Sequence, residues 1–253
     1  MTISARTWQA FIKRLAGINA AAGEKMRQYI AHYGLGDEKA LIRYAYALVT
    51  EYGEASASLA ADMYDAIAAL SGASVPVAVT SPTAAYGETA AAMYATAATE
   101  SPEQVIAAVE RLTKLPAADT MLYNAIRDEA EWAWIPSGDT CAFCLTLASN
   151  GWQKASQKIL KGGHAEHIHG HCDCMFAIRF DRYTDVAGYD DGRRYREMYD
   201  DAEGRSSKDK VNAMRRKFYA ENSAEINEQK RSAYAKQQER ESSAAEEGDA
   251  GRT

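Results

Sequence analysis

The chain has 253 residues, of which 47% are hydrophobic and 25% are charged, as in an ordinary globular protein of one large or two small domains. Its net charge of −6 disfavours a general binder of nucleic acid or acidic membranes. No apolar run long enough for a transmembrane helix or a signal peptide occurs, so we expect an intracellular chain that does not enter a membrane. Cysteines in that compartment stay reduced, so clustered cysteines favour a metal over disulfides.

The amino-terminal region, residues 1–118, is predicted to be helical. Apolar residues recur there at helical spacing in three runs: Trp8, Phe11, Ile12, Leu15 and Ile18; Leu41, Tyr44 and Leu48; Leu59, Met63, Ile67 and Leu70. The stretch SGASVPVAVTSP (71–82) interrupts the pattern with glycine and proline, and an alanine-rich helix is expected after it. SPEQ (101–104) predicts another helix start, with Pro102 in the first turn, and Leu115-Pro116 predicts its end.

Residues 119–182 are predicted to form a compact core. A helix is expected from about Asp119 to Trp134, and MFAIRF (175–180) alternates like a short half-buried strand. Residues 183–253 are predicted to form a charged, partly helical carboxy-terminal tail with a disordered end, ESSAAEEGDAGRT. The predicted fold class is therefore mainly α, with a small α+β module between two helical regions.

All the cysteines and most of the histidines of the chain fall into one window. Cys141 and Cys144 form a CxxC pair, and after 27 intervening residues Cys172 and Cys174 form a CxC pair. Four of the five histidines lie between them, at His164, His167, His169 and His171. Tetrahedral zinc prefers such thiolate and imidazole ligands. We predict a structural Zn²⁺ site made from Cys141, Cys144 and Cys172 with either His169 or Cys174, because four protein ligands leave no open position for a catalytic water.

Two alternatives use the same residues differently. The His-x-Glu at His164 and Glu166, together with CxxC, suggests a zinc-dependent nucleic-acid enzyme such as a nuclease or deaminase. The order of the motifs is reversed, however, and no proline precedes Cys141, so we do not expect an enzyme. The second alternative is a zinc-knuckle module that contacts DNA through Arg215, Arg216 and Lys217.

The motifs resemble the carboxy-terminal core of the Mu F-like head-morphogenesis family of phage minor capsid proteins. The shared pattern is an acidic residue, TCxxC, a glycine-aromatic turn and HxxCxC, which in this chain is Asp139, Thr140, Cys141, Cys144, Gly151, Trp152, His169, Cys172 and Cys174. The chain departs from the pattern at Gly170 and His171, where the family usually has proline and asparagine. The resemblance covers about residues 131–179.

The resemblance implies a role that composition and spacing do not show. It implies a structural component of the virion, present in a few copies near the portal, in a phage or prophage, and assembled in the bacterial cytoplasm. It implies action in head assembly or DNA delivery. The implied partners are the portal protein, the major capsid protein and packaged phage DNA.

Overall fold

The computed structural model of the chain contains long helices and two small sheets. The residues described are 2–135, 142–156, 175–182, 185–186, 189–206, 208–214, 216–217, 219–221, 223–224, 227–228 and 231. Contact clustering divides the chain into two compact units, Met1–Glu197 and Met198–Thr253.

The first unit is mainly helical. Its described helices are α1 (Ala5–Tyr33), α2 (Glu38–Ser71), α3 (Tyr86–Ala97), α4 (Pro102–Arg127) and the short α5 (Ala142–Ala148). A further helix, α6 (Tyr189–Asp200), begins in the first unit and ends three residues past its boundary at Glu197. Side chains mark the helix starts, since Ser4 Oγ accepts from Thr7 N and Asp37 Oδ1 accepts from Ala40 N. None of the described helices is long and apolar enough to cross a membrane.

Helices α1 to α4 pack together around a shared core. α2 and α4 make the most extensive contact, and α1 and α3 pack against both. The predicted helical stripe of α1 is confirmed, because Trp8, Phe11, Ile12 and Leu15 are all buried. The second and third predicted runs belong to a single helix, α2.

Residues 73–85 form an extended connecting segment between α2 and α3, as the glycine and prolines of the sequence predict. Side chains of the flanking helices bind its backbone. Asn124 of α4 accepts from Val79 N at 2.9 Å and donates to Val79 O at 2.8 Å. Asp65 of α2 accepts from Ala78 N, and Thr120 of α4 accepts from Ser81 N.

The predicted helix end at Leu115-Pro116 is wrong, since α4 continues through Pro116 to Arg127. A proline inside a helix removes one backbone hydrogen bond. Pro116 is buried, and its ring lies beside Gly53 of α2, where a Cβ would come within 3.4 Å of Pro116 Cγ. We attribute the continuation to burial, because the helix carries apolar side chains into the core on both sides of the proline.

The predicted helix from Asp119 to Trp134 is wrong in its second half. α4 ends at Arg127, Glu129 adopts a φ of 53°, and Ala130 N bonds back to Ala125 O. This arrangement reverses the chain after the helix. Residues Glu131–Ile135 then form the strand β2.

The strands form two small sheets. β2 lies between β3 (Gln153–Lys154) and β4 (Met175–Arg179) in a three-stranded antiparallel sheet. A two-stranded parallel sheet pairs β1 (Thr2–Ile3) with β5 (Asp185–Val186). The predicted strand at 175–180 is confirmed over Met175–Arg179, but it is not half-buried, because Met175, Phe176, Ala177 and Ile178 are all fully buried.

In the second unit, the described residues from 208 onward are helical, as predicted for the tail. Ser206 Oγ accepts from Asp209 N, and Asp209 Oδ2 accepts from Ser206 N, so the two side chains cap the start of this helical stretch. The predicted disordered end lies outside the described residues.

Candidate metal site beside the three-stranded sheet

The central strand β2, with the sequence EWAWI, is rich in residues that favour sheets. Its register with β4 pairs Trp132 with Ile178, Trp134 with Phe176 and Ile135 with Met175. Paired residues share a face of the sheet, so one face carries both tryptophans together with Phe176 and Ile178.

The rings of Trp132 and Trp134 both pack against the ring of Phe176. The Phe176 ring lies 5.0 Å from Trp132 at 87° and 4.6 Å from Trp134 at 68°, both edge-to-face arrangements that aromatic rings favour. All three side chains are buried. The stack therefore gives this small sheet a rigid aromatic centre.

A partly buried ion pair closes one end of the sheet. Arg179 Nε of β4 donates to Glu131 Oε2 of β2 at 2.6 Å, and its guanidinium lies 4.6 Å from the centre of the Trp152 ring. Gly151 precedes that ring with a φ of 64°, a conformation that glycine adopts readily. The glycine-aromatic turn expected from the sequence thus packs against the sheet.

Of the five predicted zinc ligands, the structure describes one. Cys144 lies on α5, which packs on β2, and its side chain is fully buried. The other four, Cys141, His169, Cys172 and Cys174, lie outside the described residues, as does Glu166. In the described part of the chain, no three His, Cys, Asp or Glu side chains form a group that could hold a metal.

Two of the predicted ligands lie close in sequence to one end of the sheet. The Ile135–Met175 pair is the last pair of the register. β2 leads from this end to Cys141 within six residues, and Cys174 immediately precedes β4.

The chemistry of these residues fits zinc. Three thiols and either an imidazole or a fourth thiol would complete a tetrahedral site. Separately, the buried Nε1 of Trp134 has no hydrogen-bond partner among the described residues.

The proposed DNA contacts lie in the second unit. Arg216 and Lys217 are exposed and helical, whereas Arg215 lies outside the described residues. His32, the histidine outside the cluster, is exposed near the end of α1 and its ring contacts Tyr33.

A partly buried polar network that the sequence did not reveal connects the helices with the sheet. Tyr64 of α2 donates to Asp128 Oδ2 at 2.8 Å, and Arg127 donates to both oxygens of Asp128 at 2.7 Å. Burial alone would raise the pKa of Asp128, but the hydrogen bonds from Arg127 and Tyr64 lower it. Burial and the bond to Asp128 raise the pKa of Tyr64, whose ring also contacts Phe180 just after β4. The one signal in the sequence that could have suggested this network is the adjacent pair of opposite charges, Arg127 and Asp128.

Comparison with known proteins supplies one match. The sequence model of the family described as VG15 protein matches residues 2–202, which include all of the described sheet residues and every predicted zinc ligand. The match indicates a viral, phage-associated protein and does not specify its function. Searches of curated proteins and of solved structures gave no significant match.

Proposed function

Because the chain belongs to the VG15 protein family, we propose that it is a minor head protein of a phage or prophage, carried in the virion near the portal. The observation that carries this proposal is the family match over residues 2–202, combined with the TCxxC and HxxCxC pattern within it. Its partners are the portal or major capsid protein and the packaged DNA. It acts in head assembly, DNA delivery or both, and it is not an enzyme.

The proposed role includes a structural zinc site. Four of the residues Cys141, Cys144, His169, Cys172 and Cys174 hold the ion, which supplies a cross-link between chain segments that are distant in sequence. Two observations support this assignment: Cys144 on α5 is buried, and β2 pairs with β4 up to Ile135 and Met175, which are close in sequence to the other cysteines. A module this small gains stability from such a cross-link, because it buries little core of its own.

The surrounding residues position the ligand-bearing segments. The Glu131–Arg179 pair and the tryptophans around Phe176 hold β2 and β4 in one register. That register determines where the segments on either side of the two strands begin and end. The Tyr64–Asp128 bond and the Tyr64–Phe180 contact link the sheet to α2 and α4.

Zinc content tests the site directly. We expect one zinc per chain, measured by mass spectrometry of protein purified without added metal. Cys141→Ser and Cys172→Ser should each lose it, whereas His32→Ala, which changes the histidine outside the cluster, should keep it. Metal-free wild-type protein with an intact fold would contradict the zinc site.

Particle composition tests the proposed location. Quantitative mass spectrometry of purified phage particles should detect this chain at a few copies for each portal ring. A chain that is abundant in the infected cell but missing from full heads would contradict a virion role.

A further inference from the structure

The connecting segment (residues 73–85) exposes valines where a surface loop usually carries polar side chains. Val77 is 77% exposed and Val79 is 66% exposed, although both are apolar. Residues 66–87, which include the whole segment, contain no charged side chain. Single exposed apolar residues are ordinary, whereas neighbouring ones that form a patch mark a surface that binds another protein.

The two valines lie on the same side of the segment, beside a tyrosine of α4. Side chains alternate along an extended chain, so positions 77 and 79 project from one face. Thr120 and Arg127 of α4 bind the backbone of the segment. Tyr123, which is 50% exposed, belongs to the same stripe of α4, because residues three and four apart share a helix face. Val77, Val79 and Tyr123 therefore form one apolar surface, which we call the valine face.

Hydrogen bonds from side chains of α4 hold the valine face in place. The buried Asn124 bonds to both the N–H and the C=O of Val79. Arg127 donates to the carbonyl oxygen of Val77, and its charge is neutralised by the carboxylate of Asp128, 2.7 Å away. A partner would therefore bind a segment that is already ordered, which lowers the entropic cost of association.

We propose that the valine face is the contact surface of a homodimer, in which it packs against the valine face of a second copy of this chain. Each copy carries a net charge of −6, so two copies repel each other, and the repulsion is least where neither presents a charge. An uncharged face also lacks the charge pattern by which complexes of different proteins select their partners. A two-fold contact requires only that a surface complement itself, which an apolar face does.

Two-fold symmetry makes this contact sensitive to added charge. Because each copy presents the same residues, a charge placed on the valine face lies close to the same charge of the other copy. Like charges at an apolar contact oppose association, and opposite charges on the two copies remove that opposition. The inference depends neither on the zinc site nor on a place in the virion.

Sedimentation velocity of the full chain under reducing conditions measures the dimer without cysteine cross-links. For the wild type we expect a shift from monomer to dimer between about 1 µM and about 200 µM, as for a small interface of micromolar affinity. The double variants Val77→Asp/Val79→Asp and Val77→Lys/Val79→Lys should each stay monomeric, and an equimolar mixture of the two should dimerise. Tyr33→Asp, which adds a charge at an exposed position of α1 outside the valine face, should dimerise like the wild type.

The outcomes separate the homodimer from other uses of the surface. A wild-type chain that is monomeric at the highest concentration would overturn the homodimer and leave the valine face to a different protein. Dimerisation of both valine variants, or no association in their mixture, would overturn self-pairing of this face.

A second measurement needs no substitution and so does not depend on the folding of a variant. Hydrogen exchange of the wild type, compared at the lowest and the highest concentration, should show protection of residues 76–80 only at the highest. A dimer without that protection would contradict the proposed contact.

Discussion

At the scale of single residues, Asp119 on α4 combines partial burial with a second carboxylate. Burial, with a smaller contribution from the charge of Glu88 on α3, raises the pKa of Asp119 to about 6. A folded pKa above the unfolded value of 3.8 means that the folded chain holds the proton more tightly. This contribution to stability is complete below about pH 4 and is lost as the pH rises through 6.

We therefore expect Asp119→Asn to stabilise the protein in a pH-dependent way. A pKa change from 3.8 to about 6 corresponds to about 3 kcal/mol, which the variant should recover near pH 7 and not near pH 4. Urea unfolding between pH 4 and pH 7.5 measures this difference. Asp62→Asn, at an exposed position of α2, is the control. If Asp119→Asn raises the free energy of unfolding equally at pH 4 and at pH 7.5, the raised pKa of Asp119 is contradicted.

At the scale of elements, the connecting segment (residues 73–85) depends on side chains for its hydrogen bonds. Asn124, 2% exposed, bonds to both the N–H and the C=O of Val79, as a neighbouring strand would. Arg127 donates to the carbonyls of Pro76 and Val77 at 2.9 and 3.1 Å. These bonds satisfy backbone groups that no helix or sheet satisfies for this segment.

Asn124→Ala should lower the free energy of unfolding by about 2 kcal/mol, because two hydrogen bonds to Val79 are lost at about 1 kcal/mol each. Hydrogen exchange of the Val79 amide should accelerate at the same time. Asn124→Asp keeps the acceptor for Val79 N and removes the donor to Val79 O, so its Val79 amide should exchange more slowly than in Asn124→Ala. Unchanged exchange in both variants would show that Asn124 does not anchor the segment.

At the scale of the whole molecule, the main helical core and the sheet module rest on different interactions. The buried residues of the main helical cluster come from α1 to α4, among them Met26, Leu41, Met93, Val105 and Leu112. The sheet has its own aromatic stack and, in our proposal, the zinc cross-link. The two parts should therefore respond differently to metal removal.

A strong chelator should disturb the sheet module and spare the helices. We expect the fluorescence of Trp132, Trp134 and Trp152 to change, while the helical circular dichroism at 222 nm is largely retained. Hydrogen exchange measured with and without the chelator would locate the change at β2, β4 and α5. Loss of the helical signal along with the zinc would contradict an independent helical core.

The amino-acid sequence determined the elements whose signals are local. Helical spacing predicted α1 and α2, glycine and proline predicted the interruption after α2, and alternation predicted β4. The clustering of Cys141, Cys144, Cys172 and Cys174 likewise suggests a metal from ligand chemistry alone. Each of these patterns depends only on the types and spacing of residues that are close together in the sequence.

Tertiary structure alone decided the features that depend on distant partners. Pro116 stays inside α4 because it is buried beside Gly53, and EWAWI is a strand because β3 and β4 pair with its two edges. Trp134 gained its place opposite Phe176 only through the pairing of β2 with β4. The physical reason is that burial and strand pairing join residues far apart in sequence, and their free energies outweigh the local preferences that a sequence displays.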